Sequence, residues 1–571
     1  SNVAKLPRQT QQAPTVLETP EMSFDVRDEA AAQRLPVGYF TALQVLFALV
    51  LYSPGLVTFF VAFSYVEVGT FFTTASLWAF ILVGFFLYLL GLVLPFATLA
   101  WVMLIKYFLG GDIYKNNVTP GVYPKWSKMH LRVWCIGRLE GSVLFSLGVM
   151  YRSAPIKAFA LRLLGVTVGK NLQCAHDASL SGPLDLISIE DDVAIQTGAY
   201  IQTTRWSGQY LQIGPIHLES GCKIGMRAGV ANNVTVGRGS WIAPFTPIFN
   251  DVGSDEMLEG APARVTGRVT KLKRTETSCQ YASPIWLLET YNVLMQVGLS
   301  ILLGLIPASA IMWFARSFIP AGEAQISSVY FTVTPLHEIA WHLSLYAFIT
   351  SWVTVVVTSI LSCLFIRLTA ASPGLYPSRG LRGALLMYRM SMMNGIQNVW
   401  TWTITGQYLR ALAGVRFPRL GASECDVMFN LVPEVSTADS QVFWSNGSFT
   451  NMLDYEAEYF TLRRLDMPRN FFSGNNCVAE YGQFPANFLL GVSTPSNEIQ
   501  FRRQMRARHD KPIPVAGNPP MKFASASFEA ENETHTVPGV PLFLTRVLLN
   551  DFFSIGILRI TEGLIFTMLY I

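Results

Sequence analysis

Hydrophobic positions along this chain follow two rhythms that alternate. Long apolar runs occupy Tyr39 to Val66, Leu77 to Ile105, Thr290 to Ala315 and Ile339 to Ile366, and none holds an Asp, Glu, Lys or Arg. A bilayer core about 30 Å thick needs roughly 20 helical residues, so each run predicts a membrane-spanning helix. Pro54 and Pro95 fall inside the first two, which lipid-embedded helices tolerate when neighbours re-satisfy the freed backbone group. A fifth, less pure run from Val540 to Ile571 holds Arg546, Asp551, Arg559 and Glu562; the last two, three apart, can pair on one helical face.

Between the membrane pairs the rhythm changes. Leu218, Ile224, Val230, Val236, Ile242 and Ile248 recur at every sixth residue, as do Ile189, Ile195 and Ile201 upstream. Helices show a period of about 3.6 and half-buried strands a period of 2. A strict six predicts short strands turning a triangular prism, with one aliphatic side chain pointing inward on each face: the left-handed parallel β-helix of hexapeptide repeats. Small residues (Gly225, Ala231, Gly237) follow the aliphatics where the corner is crowded. Phe472, Val478, Phe484 and Leu490 give a weaker second instance with aromatic inward residues, and Val442 to Phe449 fits an earlier, irregular coil.

The predicted order is therefore a polar linker (1–36), transmembrane helices 1 and 2 (37–110), an amphipathic interfacial segment (111–165) and β-helix 1 (166–270). Transmembrane helices 3 and 4 (284–368), a second interfacial segment (379–415), a degenerate β-helix 2 (416–500), a loop (501–538) and transmembrane helix 5 (539–571) follow. The fold class is membrane α plus β, with helix pairs alternating with two left-handed β-helices. Leu163-Leu164-Gly165-Val166 before the first prism matches Leu412-Ala413-Gly414-Val415 before the second, and Pro284 to Leu288 resembles Val540 to Leu544, so the unit repeats. Starting at Ser1 and stopping inside an apolar run, the chain reads as a piece of something longer.

Charge sets the orientation. The connections Glu67 to Ser76 and Arg316 to Pro335 carry a single cation, Arg316, whereas Lys106, Lys115, Lys125, Lys128 and Arg132, then Arg367, Arg379, Arg382 and Arg389, flank the opposite ends. Positive charge marks the cytoplasmic side, so both soluble insertions are expected there in a multi-pass integral membrane protein. The sequons at Asn117, Asn233, Asn446 and Asn532 are then chance matches. A net charge of +4 without a basic stripe gives no reason to expect nucleic acid. Seven scattered cysteines, none in a CxxC pair, point to reduced thiols and no metal. His337-Glu338-Ile339-Ala340-Trp341-His342 is not a zinc-protease motif, because its second histidine lies at i+5, about 500° round the helix.

Candidate chemistry is sparse. A general base is wanted to deprotonate an attacking amine or hydroxyl. In β-helix 1 the candidates are His176, beside Asp177, which could hold its imidazole, and His217, read as part of the irregular segment that breaks the repeat after Thr203. No histidine lies between His342 and His509, so the second prism offers none.

The exit segment Gly260-Ala261-Pro262-Ala263-Arg264-Val265 resembles the G-x-P-A-[KR]-V exit of hexapeptide acyltransferases. That resemblance implies that Gly260, Pro262, Ala263 and Arg264 lie beside the pantetheine arm of an acyl donor, and the segment also serves to terminate the prism. The alternating architecture, with "SIEDDVAIQTGAYIQ" (188–202) and "NFFSGNNCVAEYGQFPANFLLGVSTP" (470–495), is similar to the C-terminal membrane region of nonribosomal-peptide-synthetase-like polyamino-acid synthetases of the ε-poly-L-lysine type. In that family an adenylation domain and a carrier domain precede six membrane helices separating three tandem condensing domains. The resemblance implies an acyltransferase or amide-forming ligase module. It would be fed by a phosphopantetheine thioester on a carrier outside this chain (or by CoA), with an amine acceptor and the lipid bilayer as partners. Neither adenylation nor carrier sequence is present, and the coil at 200–214 has no histidine. A stand-alone acyl-CoA-dependent acyltransferase and a non-catalytic scaffold or export vestibule are the alternatives.

Overall fold

The computed structural model describes residues 33–65, 75–110, 112–146, 154–175, 177–269, 285–315, 336–378, 380–400 and 404–416, and shorter stretches from 427 to 522. The first 32 residues and transmembrane helix 5 lie outside the described residues.

The apolar runs are helices α1 (Val37–Tyr65), α2 (Leu77–Gly110), α5 (Ile285–Ser300), α6 (Ile306–Ala315) and α7 (Leu336–Leu368), with a π-helical turn, Ile301–Leu305, joining α5 to α6. Among the described residues, Leu77–Leu109 and Thr290–Ala315 are long and apolar enough to cross a membrane; Val37–Ser53 and Trp352–Leu368 are shorter apolar stretches. Their side chains face outward: Phe86 and Phe108 are 67% and 76% exposed. An uncovered apolar surface of this size marks an interaction face, for a membrane or for another protein. Gly84 of α2 abuts Ser309 of α6, the small-residue contact that lets two such backbones approach.

Each amphipathic segment forms a short strand and two helices. The first comprises Gly121–Pro124, α3 (Lys128–Ser146) and α4 (Ala154–Leu163); the second comprises Gly374–Pro377, α8 (Leu381–Trp400) and α9 (Ile404–Ala413). Both strands come from one repeated motif, Pro-Gly-x-Tyr-Pro, at Pro120–Pro124 and Pro373–Pro377. In each, the tyrosine hydroxyl donates four residues back, Tyr123 to the Thr119 carbonyl (3.1 Å) and Tyr376 to the Ser372 carbonyl (2.6 Å). Each strand then pairs antiparallel with a hairpin thrown out of the prism that follows: Gly121–Pro124 with Tyr210–Ile213, and Gly374–Pro377 with Tyr459–Leu462.

β-Helix 1 has the predicted three faces of parallel strands. Ile189, Leu218 and Val236 stack on one face, Ile195, Ile224 and Ile242 on the next, Ile201, Val230 and Ile248 on the third, and all nine are buried. A further coil, Val168, Cys174 and Leu180, underlies them at the same spacing. A cysteine interrupts its aliphatic row, and a 3-10 turn at Leu184–Leu186 separates it from the next coil.

The second prism holds parallel coils too, but its inward row differs from the expected one. Phe472 is half-buried while Ser473 is fully buried and stands beside Leu490 in register, so the core row runs Met467, Ser473, Ala479, Phe484, Leu490. Its spacing is six, six, five, six. One residue is missing around Gly482, which takes φ +112°, and the aromatic row read from strict periodicity slips by one above that point. Small inward residues at Ser473 and Ala479 leave room in this narrow coil for Phe484. Strands Pro514–Ala516 and Met521–Lys522 extend the prism into the region expected to be loop, pairing parallel with Leu489–Leu490 and antiparallel with each other.

Candidate functional site

Among the described residues, His217 and Asp177 are not brought together. His217 sits in the regular strand Ile216–Leu218, not in the irregular segment; strand alternation buries Ile216 and Leu218 and turns His217 outward, between Ser188 and Thr235. Asp177 is half-buried at the corner after Gln173–Cys174, on another side of the prism, and His176 lies outside the described residues.

The exit segment is built as a terminator. Gly260, at φ +95°, donates its N–H to Thr246 Oγ1 (3.2 Å), and the chain returns as Arg264–Arg268, antiparallel to Glu256–Glu259. Pro262 and Arg264 are exposed, and Ala263 packs partly against the prism core.

The two prisms meet along a polar seam. On the first, Gln196 and Lys223 belong to the face of Ala194–Ile195 and Lys223–Ile224, and Arg227 to the next corner. On the second, the thrown-out hairpin supplies Asp454 and Tyr455, and a corner supplies Asn476. Gln196 Nε2 donates to the Tyr455 carbonyl (2.7 Å) while its Oε1 accepts from Tyr455 N (3.1 Å), a two-pointed pair equivalent to one rung of sheet. Lys223 Nζ pairs with Asp454 Oδ1 (2.5 Å), and Arg227 donates to Asn476 Oδ1 (2.8 Å). Arg227 and Asn476 occupy corresponding corners with φ +52° and +53°.

One histidine lies outside both prisms, where the hexapeptide repeat gives no sign of it. His130, on the first turn of α3, is enclosed by Phe40, Trp126 and Trp206, with ring centroids at 4.9, 6.0 and 4.9 Å. Trp206 comes from the thrown-out hairpin. Trp126 N donates to His130 Nδ1 (3.1 Å), which assigns the neutral proton to Nε2. Burial, aided by Lys125, depresses the imidazole pKa, so the ring stays neutral at physiological pH. With Nδ1 occupied, it is placed to donate a hydrogen bond, not to take a proton.

Beneath this lies a buried polar joint. Lys106, at the end of α2, pairs with Glu140 of α3 (3.1 Å) and donates to the Leu164 carbonyl (2.9 Å). Asn116 Nδ2 (2.9 Å) and Leu184 N (3.1 Å) also donate to Glu140. Burial nonetheless pushes that carboxyl up to about 7, against all three donors. In the second unit Arg389 takes over: it donates to the Ile366 carbonyl at the end of α7 and pairs with Glu434 at the start of the prism. Among the described residues no group of three or more His, Cys, Asp or Glu is arranged to hold a metal.

Prism and exit hairpin define a hexapeptide-repeat coil. Among solved structures, the chain is similar to a hexapeptide-repeat acetyltransferase from Vibrio cholerae O1 biovar eltor in complex with acetyl coenzyme A (23% identity, 19% of this chain and 61% of that one, TM-score 0.18). It is also similar to galactoside acetyltransferase in complex with coenzyme A (14% identity, 26% and 88%, TM-score 0.23). By sequence it is similar to delta-poly-L-ornithine synthetase of Acinetobacter baumannii (strain AB307-0294), 22% identical over 408 residues, or 68% of this chain and 29% of that protein. The chain thus spans about three tenths of that relative's length. No family model matches. The resemblance to polyamino-acid synthetases therefore has a sequence relative of that kind behind it.

Proposed function

We propose that this chain is the membrane-embedded condensing region of a polyamino-acid-synthetase-like enzyme. It moves an aminoacyl or acyl group from a pantetheine thioester to an amine. The amine nitrogen attacks the thioester carbonyl, the C–N bond forms, the C–S bond breaks, and the proton lost by nitrogen ends on the departing thiol. The observation that carries this reading is the 408-residue likeness to the ornithine polymer synthetase. It is longer than any one domain here, so it concerns the alternating architecture as well as the coil.

In this reading α1, α2, α5–α6 and α7 span the bilayer and the prisms stand on the cytoplasmic, cation-rich side. The exposed Pro262 and Arg264 flank the arm that the donor shares whether it rides on a carrier or on CoA. His176 and His217 are the base candidates, and the Nε2–H of His130 is a donor for the oxyanion.

The test supplies the chain, in nanodiscs, with a carrier protein loaded as an aminoacyl thioester, or with the matching CoA thioester, and follows amide product by mass spectrometry. Product from the carrier alone supports the reading, and product from CoA equally supports a stand-alone acyltransferase. No product from either leaves the scaffold role. Alanine at His176 or His217 should lower the rate at the true base by about 10²–10⁴-fold, the usual contribution of general-base catalysis.

A further inference from the structure

A cavity of about 380 Å³ opens where α1, α2 and α3 converge, on the cation-rich side of the apolar helices. Its two halves differ in chemistry. Leu43, Tyr39 and Leu109 line it from the apolar helices, whereas Lys115, Lys128 and Arg132 line it from the interfacial segment. Arg132 Nη2 donates to the Leu109 carbonyl at the end of α2 (3.1 Å), which fixes the guanidinium at the cavity and leaves its remaining N–H groups to point elsewhere. Lys115 and Lys128 are exposed.

Among the described lining residues there is no carboxylate. Of the nearby acids, Glu140 is taken up by Lys106, Asn116 and Leu184, and Asp112, outside the cavity lining, accepts from the backbone N–H groups of Tyr114 and Lys115 and lies within electrostatic reach of Lys115. Four cations line this apolar-floored cavity, and only Lys106 is held in an ion pair, with Glu140; Lys115, Lys128 and Arg132 together suit an anion carrying a hydrocarbon tail. A soluble phosphate would use the cations and leave the floor wet; a phospholipid uses both.

We infer that this cavity is a binding site for an anionic phospholipid, with the headgroup phosphate among Lys115, Lys128 and Arg132 and an acyl chain along Leu43 and Leu109. The inference rests on α1 and α2 being membrane helices, as proposed above. The lipid would then fill the gap between interfacial helix and bilayer and fix the height of the first prism above the membrane.

The experiment places the chain in nanodiscs of phosphatidylcholine with a tenth phosphatidylglycerol, then counts the lipids retained in mild detergent by native mass spectrometry. Wild type should keep phosphatidylglycerol at least tenfold over its share. K115Q/K128Q/R132Q should lose that preference, while K170Q/R238Q, cations of the first prism that do not line the cavity, should keep it. If the triple variant does not fold, Cys135→Trp, which fills the cavity with the charges intact, should lose the preference instead. Equal retention of both lipids by wild type, or undiminished preference in either cavity variant, overturns the site. So does equal protection of the wild type against thermal unfolding by inorganic phosphate and by phosphatidylglycerol. A chain that stays soluble without detergent and does not enter nanodiscs defeats the membrane reading itself, a result distinct from these.

Discussion

Gln196 and Tyr455, 259 residues apart, are joined by two hydrogen bonds in which one side-chain amide completes another chain segment's backbone. Both residues are buried, so water cannot stand in for the glutamine. Replacing Gln196 by Leu should strand one N–H and one C=O of Tyr455 and cost about 1–3 kcal/mol, the usual penalty for orphaned buried polar groups. Thermal unfolding in detergent, with proteolysis between the prisms as a second probe, checks this. Unchanged stability would show that the prisms do not lean on one another there.

The Lys106–Glu140 joint makes a sharper prediction. Truncating one partner leaves a buried charge uncompensated, so E140L alone should cost about 3–5 kcal/mol. K106M/E140L should recover part of that loss, because it removes the uncompensated charge but leaves the Leu164 carbonyl and the Leu184 N–H without these partners. Thermal denaturation of the three proteins reads the cycle.

Glycines at prism corners and on helices should respond oppositely. A Cβ at Gly225 would run into the backbone of Ile242 and Ala243, atoms that cannot swing aside, whereas nothing lies within 4 Å of one at Gly137 in α3. G225A should destabilise by about 1–3 kcal/mol through overpacking. G137A should stabilise by about 0.5–1 kcal/mol through helix propensity. Melting temperatures of the two variants against wild type decide it.

Stability should also carry a pH signature. The Glu140 carboxyl, raised to about 7 by burial, keeps its proton in the folded chain over a range where the unfolded chain has lost it. Its contribution is therefore complete below the ordinary carboxylate range and is lost as pH climbs through 7. His130 runs the other way: its depressed pKa gives stability that is present above the ordinary imidazole value and lost as pH falls through the folded one. E140Q should flatten the neutral limb of a stability–pH curve and His130→Asn the acidic one.

Much of this architecture is legible in the sequence because each part rests on a simple repeat. Ile224, Val230 and Val236 betray their faces by spacing alone. The second prism is harder to read, since one residue lost near Gly482 throws Phe472 out of the core and Ser473 into it, and a small polar residue leaves no trace in a hydrophobic pattern. The seam is harder still. Gln196 and Tyr455 are unremarkable until the fold brings them together, and the same holds for His130 and Trp206. Only the repeated Pro-Gly-x-Tyr-Pro could have signalled in advance that both interfacial segments clasp a hairpin.

The slip near Gly482 also says how such coils can change over time. A whole extra turn adds strands to all three faces and leaves every neighbour in step, and a loop swelling outward at a corner, like the one bearing Trp206, is equally harmless. A lone residue gained or lost within a face exchanges inside for outside from there to the next compensating bend. Divergence should therefore proceed by complete turns and by corner excursions, and the lineage of the two prisms would be written in their corners more than in their faces.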